Sequence, residues 1–205
     1  MAQLNATAGI DTGIWDVLIK KGMTNALKGL SSMIGEDMAV KSIAIEHIPA
    51  RHMPELLGGP ENVVIGVYIL FDGASHGHIL LAHQPEVAYA MLDILLGPTP
   101  RSHRPLTDME RSAIGEMGNI TGTFFLNAVA DELGVLLNPS PPIILMDMAG
   151  AILDIALAQI LEERDMVFAA SMEYSIKGSA AAGNFIILPN PSLLKLKPAA
   201  DRVAG

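Results

Sequence analysis

The 205 residues contain no cysteine. That, with ordinary length and abundant aliphatics, excludes a secreted disulfide scaffold and removes the thiolate as a nucleophile. Aromatic residues make up only 4% of the chain. The core must therefore be aliphatic, with the 12 methionines filling its gaps. Basic residues are also few, 13 against 22 acidic ones, for a net charge of −9. Such a balance argues against nucleic acid and against an anionic membrane surface, both of which are bound by basic patches. No apolar run approaches the roughly 18 residues that would span a bilayer. The opening MAQLNATAGIDTG has neither the basic start nor the apolar stretch of a signal peptide. A cytoplasmic protein is expected. Half the residues are apolar, enough to bury a substantial core.

The most informative stretch is 107–142, TDMERSAIGEMGNITGTFFLNAVADELGVLLNPSPP. Thr107 followed by Glu110 is a capping box, with Asp108 and Glu110 in the first turn where the helix dipole favours negative charge. Gly134 is a left-handed stop. A helix over 108–133 follows. On it, Ser112, Glu116 and Asn119 share one stripe, at spacing i, i+4, i+7. Ile114, Met117, Thr121, Phe124 and Ala128 fall on the face expected to meet the core. Gly115, Gly118 and Gly122 form a third stripe. Each costs about 1 kcal/mol in a helix interior relative to alanine, so close approach of another backbone is expected there. Asn119 is a poor helix-interior residue, because its side chain competes for backbone groups. A solvated face is the ordinary reading of an isolated Glu-x-x-Asn; the neighbouring glycines weigh against it here.

The rest of the chain can be read in order. Helix 14–34, strand 39–48, a short helix within 49–57, strands 62–71 and 76–83 around an Asp-Gly turn, and helix 85–96 come first. A proline-rich linker follows within 97–106. Then come helix 108–133, a proline-interrupted strand near 135–146, helix 148–163, and strands near 166–176 and 180–188. The order repeats. Gly35 and Gly134 are 134 − 35 = 99 residues apart, and the hairpin segments starting at Gly77 and Gly183 are 183 − 77 = 106 apart. The expected fold is α/β (layered α+β), one domain with an internal pseudo-two-fold repeat of helix–strand–helix–strand–strand. Its first copy spans about 13–97, its linker 98–106 and its second copy 107–205. Helices are expected on one side of a sheet, with the two long ones side by side. Gly22, Gly29 and the glycine stripe of the second long helix would mark their contact.

Ser112-x3-Glu116-x2-Asn119-x22-Pro142, together with the surrounding EMGNITGTFFLNAVADELG, resembles the CheC/CheX/FliY family of chemotaxis phosphatases, and CheC most of all. The resemblance implies the same two-copy architecture. It also implies phosphatase action on a phosphorylated CheY-like receiver domain that brings its own phospho-Asp and Mg²⁺. No cofactor or metal of the chain's own is implied. Asn119 would orient the attacking water, Glu116 would dock beside it, Ser112 would add a contact, and Pro142 would shape the supporting turn. An amide that is both donor and acceptor can hold a water in line, and phosphoryl transfer needs mainly positioning and charge compensation.

CheC proteins commonly carry the motif twice. Subtracting 99 maps Ser112 to Gly13, Glu116 to Val17, Asn119 to Lys20 and Pro142 to Ile43, none of which keeps the chemistry. One functional centre is expected, with the first long helix as a packing partner, or with Lys20 and Lys21 meeting an acidic surface. The alternative function is a non-catalytic adaptor for the receptor deamidase CheD, or a flagellar-switch-type module. Asp147 falls where the CheD contact would lie; an N-cap is its ordinary reading. His76 and His78 share a strand face, but two histidines without a further ligand set are weak evidence for a metal. A monomer is expected, since an internal two-fold satisfies the glycines within one chain.

Overall fold

The computed structural model describes residues 12–98, 105–160, 166–176 and 182–198. The elements run α1 (Thr12–Ile34), β1 (Met38–Pro49), a 3-10 helix (Ala50–Leu57), β2 (Val63–Gly73), β3 (Gly77–His83) and α2 (Pro85–Leu96). They continue with α3 (Asp108–Leu133), β4 (Leu137–Pro139), β5 (Ile143–Met148), α4 (Ala149–Ile160), β6 (Met166–Ile176) and β7 (Ala182–Pro189). Residues 161–163 of the helix expected over 148–163 lie outside the described residues, as do 99–104 of the linker.

The fold is mixed α and β around a seven-stranded antiparallel sheet of order β1-β6-β7-β3-β2. Along the outer edge of β2, β5 pairs with residues 63–68 and β4 with residues 71–73. These two pieces are the one strand expected near 135–146, broken where Pro141 and Pro142 cannot donate to the ladder. The order is symmetrical: exchanging β1 with β5, β6 with β2 and β7 with β3 returns the same sheet.

Helices cover both faces of the sheet, not one. α1, α2 and α3 pack on one face, over Val67, Ile69, Ile79, Leu81, Met172 and Phe185. α4 and the 3-10 helix pack on the other, over Tyr68, Leu80, Ala169 and Ile186. The reason lies in the central strands. Every residue of β3 is buried, and β2 is buried from Val64 to Phe71 except for half-buried Leu70. Strands apolar on both sides need cover on both sides.

The long helices do lie side by side, but the glycines work differently from the expectation. Gly22 and Gly29 of α1 receive the rings of Phe125 and Phe124; an added Cβ would come within 2.8 Å and 2.9 Å of them. The stripe on α3 instead faces the sheet. A Cβ on Gly118 would lie 2.3 Å from Val67 Cγ1, and one on Gly122 3.0 Å from Ile69 Cδ1. In both places the close neighbour is a side chain, not a backbone. Phe124, expected in the core, covers Gly29 while remaining 43% exposed. Lys21 of α1 pairs with Glu132 of α3, and Lys20 pairs with Asp16 at 2.7 Å, so both lysines are engaged within the chain.

Two buried histidines make the fold sensitive to acid. His83 donates or accepts at Nε2 with Tyr174 Oη, 2.5 Å away, and its Nδ1 has no partner among the described residues. Burial lowers its pKa to about 4. Burial first, and then the charge of His76, lowers His78 to about 4, and its Nδ1 meets Tyr68 Oη at 2.6 Å. Both groups therefore bind protons more readily unfolded than folded. Their contribution is complete above the unfolded value near 6.5 and declines as pH falls toward 4. His83 alone accounts for about 2 kcal/mol lost by pH 5. The urea midpoint should fall between pH 7 and pH 5, and H83Q should flatten much of that fall; a level wild-type midpoint contradicts the assignment.

Candidate functional site

α3 is fixed at both ends and along one side. Thr107 caps it: its Oγ1 accepts the Glu110 N–H at 3.3 Å, and Glu110 Oε2 accepts the Thr107 N–H at 2.7 Å. Gly134 closes it at φ 59, in the left-handed region that a side chain disfavours. Ile114, Met117, Leu126 and Val129 are buried in the core. The glycines let the helix settle onto β2 and β5, so its remaining stripe has a defined direction.

That stripe and the start of β5 form an open groove of about 460 Å³. Ser112, Glu116, Asn119 and Pro142 all line it. The three residues that share a stripe by spacing and the proline that the resemblance adds are thus brought together, although Pro142 lies 23 positions beyond Asn119. Pro142 sits just ahead of Ile143, where β5 begins, and with Ile144 it forms the wall opposite the helix. A Cβ on Gly115 would stand 3.2 Å from Ile144 Cδ1 and 3.7 Å from Pro142 Cγ, so a side chain there would narrow the groove.

Glu116 and Ser112 are exposed and Asn119 is half-buried. None of the three side chains has a hydrogen-bond or ion-pair partner among the described residues. The local contrast is informative. Thr121, two residues past Asn119, spends its hydroxyl on Met117 O at 2.6 Å. Asn119 leaves both its donors and its acceptor available. Among the described residues the Ser112 hydroxyl makes no hydrogen bond to a group that could activate it for nucleophilic attack. It can present a carboxylate and an amide to another molecule.

Sequence reasoning missed Arg111 and Asp108, which also line the groove. Arg111 Nη2 donates to Ile144 O at 3.2 Å, tying α3 to β5. The signal was there to read: a cation immediately before Ser112 in an acidic chain.

Asp147 stands apart. It lies on β5 opposite Val64, exposed, with its Oδ1 accepting the N–H of Met148 at 2.8 Å. It is not the cap of α4. The helix begins at Ala149, and the N–H groups of Ala149 and Gly150 are met by the carbonyls of Asn62 and Pro60. Strand pairing carried β5 further than the sequence suggested. His76 contacts the Asn190 amide and His78 contacts Tyr68. Among the described residues no group of three or more His, Asp or Glu side chains could hold a metal. No helix among them is long and apolar enough to cross a membrane.

Comparison with known proteins points to the same stretch. Residues 109–146 match the CheC-like family. A Halobacterium salinarum protein with the provisional name CheY-P phosphatase CheC1 is 26% identical over 125 residues, 61% of this chain. The match spans 63% of that relative's length. Among solved structures, Thermotoga maritima FliY superposes with a TM-score of 0.68 at 16% identity, over 89% of this chain and 91% of FliY. CheX in the CheX–CheY–BeF3–Mg complex of Borrelia burgdorferi gives 0.56 at 14% identity, over 84% and 97%. The chain thus carries a segment similar to the CheC-like family on a fold similar to those of FliY and CheX, and every groove residue except Asp108 falls inside that segment.

Proposed function

We propose that this chain accelerates hydrolysis of the aspartyl phosphate of a CheY-type receiver domain in chemotaxis signalling. The observation that carries the reading is the Asn119 amide beside the Glu116 carboxylate, both unpartnered, in an open groove whose floor is a helix clamped to the sheet. The relative's name and the CheX–CheY complex support the choice of partner.

In the reaction, a water oxygen attacks phosphorus and the bond to the aspartyl oxygen breaks. The products are inorganic phosphate and the free carboxylate, with the water's protons passing to phosphate and solvent. Asn119 enters the partner's site, accepts a hydrogen bond from the water with its carbonyl oxygen, and holds the water's lone pair toward phosphorus. Glu116 binds an ammonium or amide on the rim and fixes the approach. Ser112 adds a hydroxyl contact one turn away, and Pro142 keeps the opposite wall rigid. The magnesium ion that a receiver binds supplies charge neutralisation of the phosphoryl group. Nothing in this mechanism asks the chain for a nucleophile.

Phosphate release from receiver domains charged with acetyl phosphate, measured with and without the chain, tests the reading. Acceleration of at least one receiver is expected; unchanged release from every receiver of the encoding organism contradicts it.

A further inference from the structure

The groove carries more chemistry than the reading above uses. Along α3, Asp108, Arg111 and Glu116 all line it, in the order negative, positive, negative. Asp108 is three residues before Arg111, a spacing at which opposite charges commonly pair. No ion pair forms there. Elsewhere Lys20, Lys21 and Lys41 do form ion pairs with carboxylates of the chain. Arg111 is exposed, and a single N–H of its five donors is spent, on Ile144 O. The guanidinium is therefore anchored in direction yet keeps most of its donors for another molecule. Arg111 lies eight residues from Asn119, roughly 12 Å along the helix. It cannot share the reacting phosphoryl group with Asn119; it faces a different part of whatever fills the groove.

Charge makes that cation matter. The chain is −9 overall, and two carboxylates flank the groove. A phosphorylated partner presents an anion to it. Two anionic surfaces repel on approach unless a cation sits where they meet. We propose that Arg111 determines partner specificity. Its guanidinium pairs with an acidic side chain on the rim of the partner's phosphorylated site, while Asp108 and Glu116 select basic groups on either side. The inference rests on the function proposed above and names the surface that function requires: a rim with an acidic group between two basic ones. Arg111 is a docking residue, not a catalytic one.

The alternative is that Arg111 only ties α3 to β5 through Ile144 O. Salt separates the two, because a rim contact is screened within about 8 Å at physiological ionic strength, whereas a tether inside the chain is not read as salt-dependent affinity. Phosphate release is measured against receiver concentration, with an acetyl-phosphate-charged receiver, at about 50 mM and about 500 mM salt. The variants are R111Q, R111K and, in parallel, N119A. R111Q is expected to raise the half-saturating receiver concentration about fivefold at low salt and less than about twofold at high salt, the loss falling on KM and not on kcat. R111K should restore most of the affinity. The proposal is overturned if R111Q matches wild type in KM and salt slope, or if its loss is independent of salt, falls on kcat and is not rescued by lysine. If wild type is active, N119A is inactive and R111Q is unchanged, the docking inference alone fails. If wild type does not accelerate release at all, the function fails and this inference with it.

Discussion

Asn119→Ala should lower the accelerated rate of phosphate release about a hundredfold while leaving the fold and the affinity for the receiver nearly intact. The magnitude follows from what a water-positioning group contributes. A misplacement of about 1 Å in a reacting atom costs on the order of 10²-fold, because the water must then find its line of attack unaided. The receiver keeps its own slow hydrolysis, so the rate should return toward that baseline and not to zero. Asn119 is half-buried and its side chain makes no hydrogen bond among the described residues, so truncation leaves no orphaned partner there. Asn119→Asp should fare no better. It keeps the shape but brings a carboxylate against a phosphoryl anion. Glu116→Gln should act differently, raising KM more than it lowers kcat, since its proposed role is docking. Circular dichroism and thermal melts of each variant establish that the loss is chemical.

Gly118→Ala should destabilise the protein by about 2 kcal/mol or more, although alanine is the better helix former by about 1 kcal/mol. The added methyl would stand 2.3 Å from Val67 Cγ1 and 2.8 Å from Val67 Cβ. Val67 is fully buried on a central strand, and its Cβ cannot swing away without moving β2. The helix must lift instead, carrying Glu116 and Asn119 with it. A melting temperature lower by roughly 4–8 °C is expected for a chain of this size, with activity reduced at temperatures where the variant is still folded. Gly115→Ala is the control. There the nearest atom is the tip of Ile144 at 3.2 Å, which can give way, so its cost should stay within about 1 kcal/mol. Val67→Ala in the Gly118→Ala background should recover part of the loss, a coupling that independent sites would not show. A Gly118→Ala protein at least as stable as wild type would mean that the stripe is not a packing device.

The second prediction also marks where sequence reasoning stopped short. The bounds of α3 were legible to the residue, because Thr107, Glu110 and Gly134 are local signals that act within a turn of themselves. The strand Met166–Ile176 was legible for a similar reason, as a β-rich run between breaks. What a face touches is not local. The stripe Gly115, Gly118 and Gly122 announced a close neighbour, but nothing in the spacing distinguishes α1 from β2. Likewise the near-continuous apolar runs of β2 and β3 implied cover on both faces, yet the helices were expected on one. Local signals put Asp147 at a helix start, because the extra length of β5 is set by pairing with Val63 and Val64, far away in the chain. Arg111 went unnoticed because its meaning depends on the wall formed by Pro142 and Ile144. The symmetrical strand order has the form that the proposed division into copies at 13–97 and 107–205 requires. The 99-residue offset maps Glu116 onto Val17, which is 64% exposed. We propose that this first copy serves as packing support for the second.

The central claim is that α3 delivers a side-chain amide to another molecule's acyl phosphate. A crystal structure of the chain bound to a receiver domain charged with beryllofluoride and magnesium tests it most directly. The account predicts the Asn119 amide about 3 Å from a water in line with the aspartyl–beryllium bond, and Glu116 against the receiver's rim. A receiver seated on another surface, with Asn119 facing bulk solvent, would contradict it.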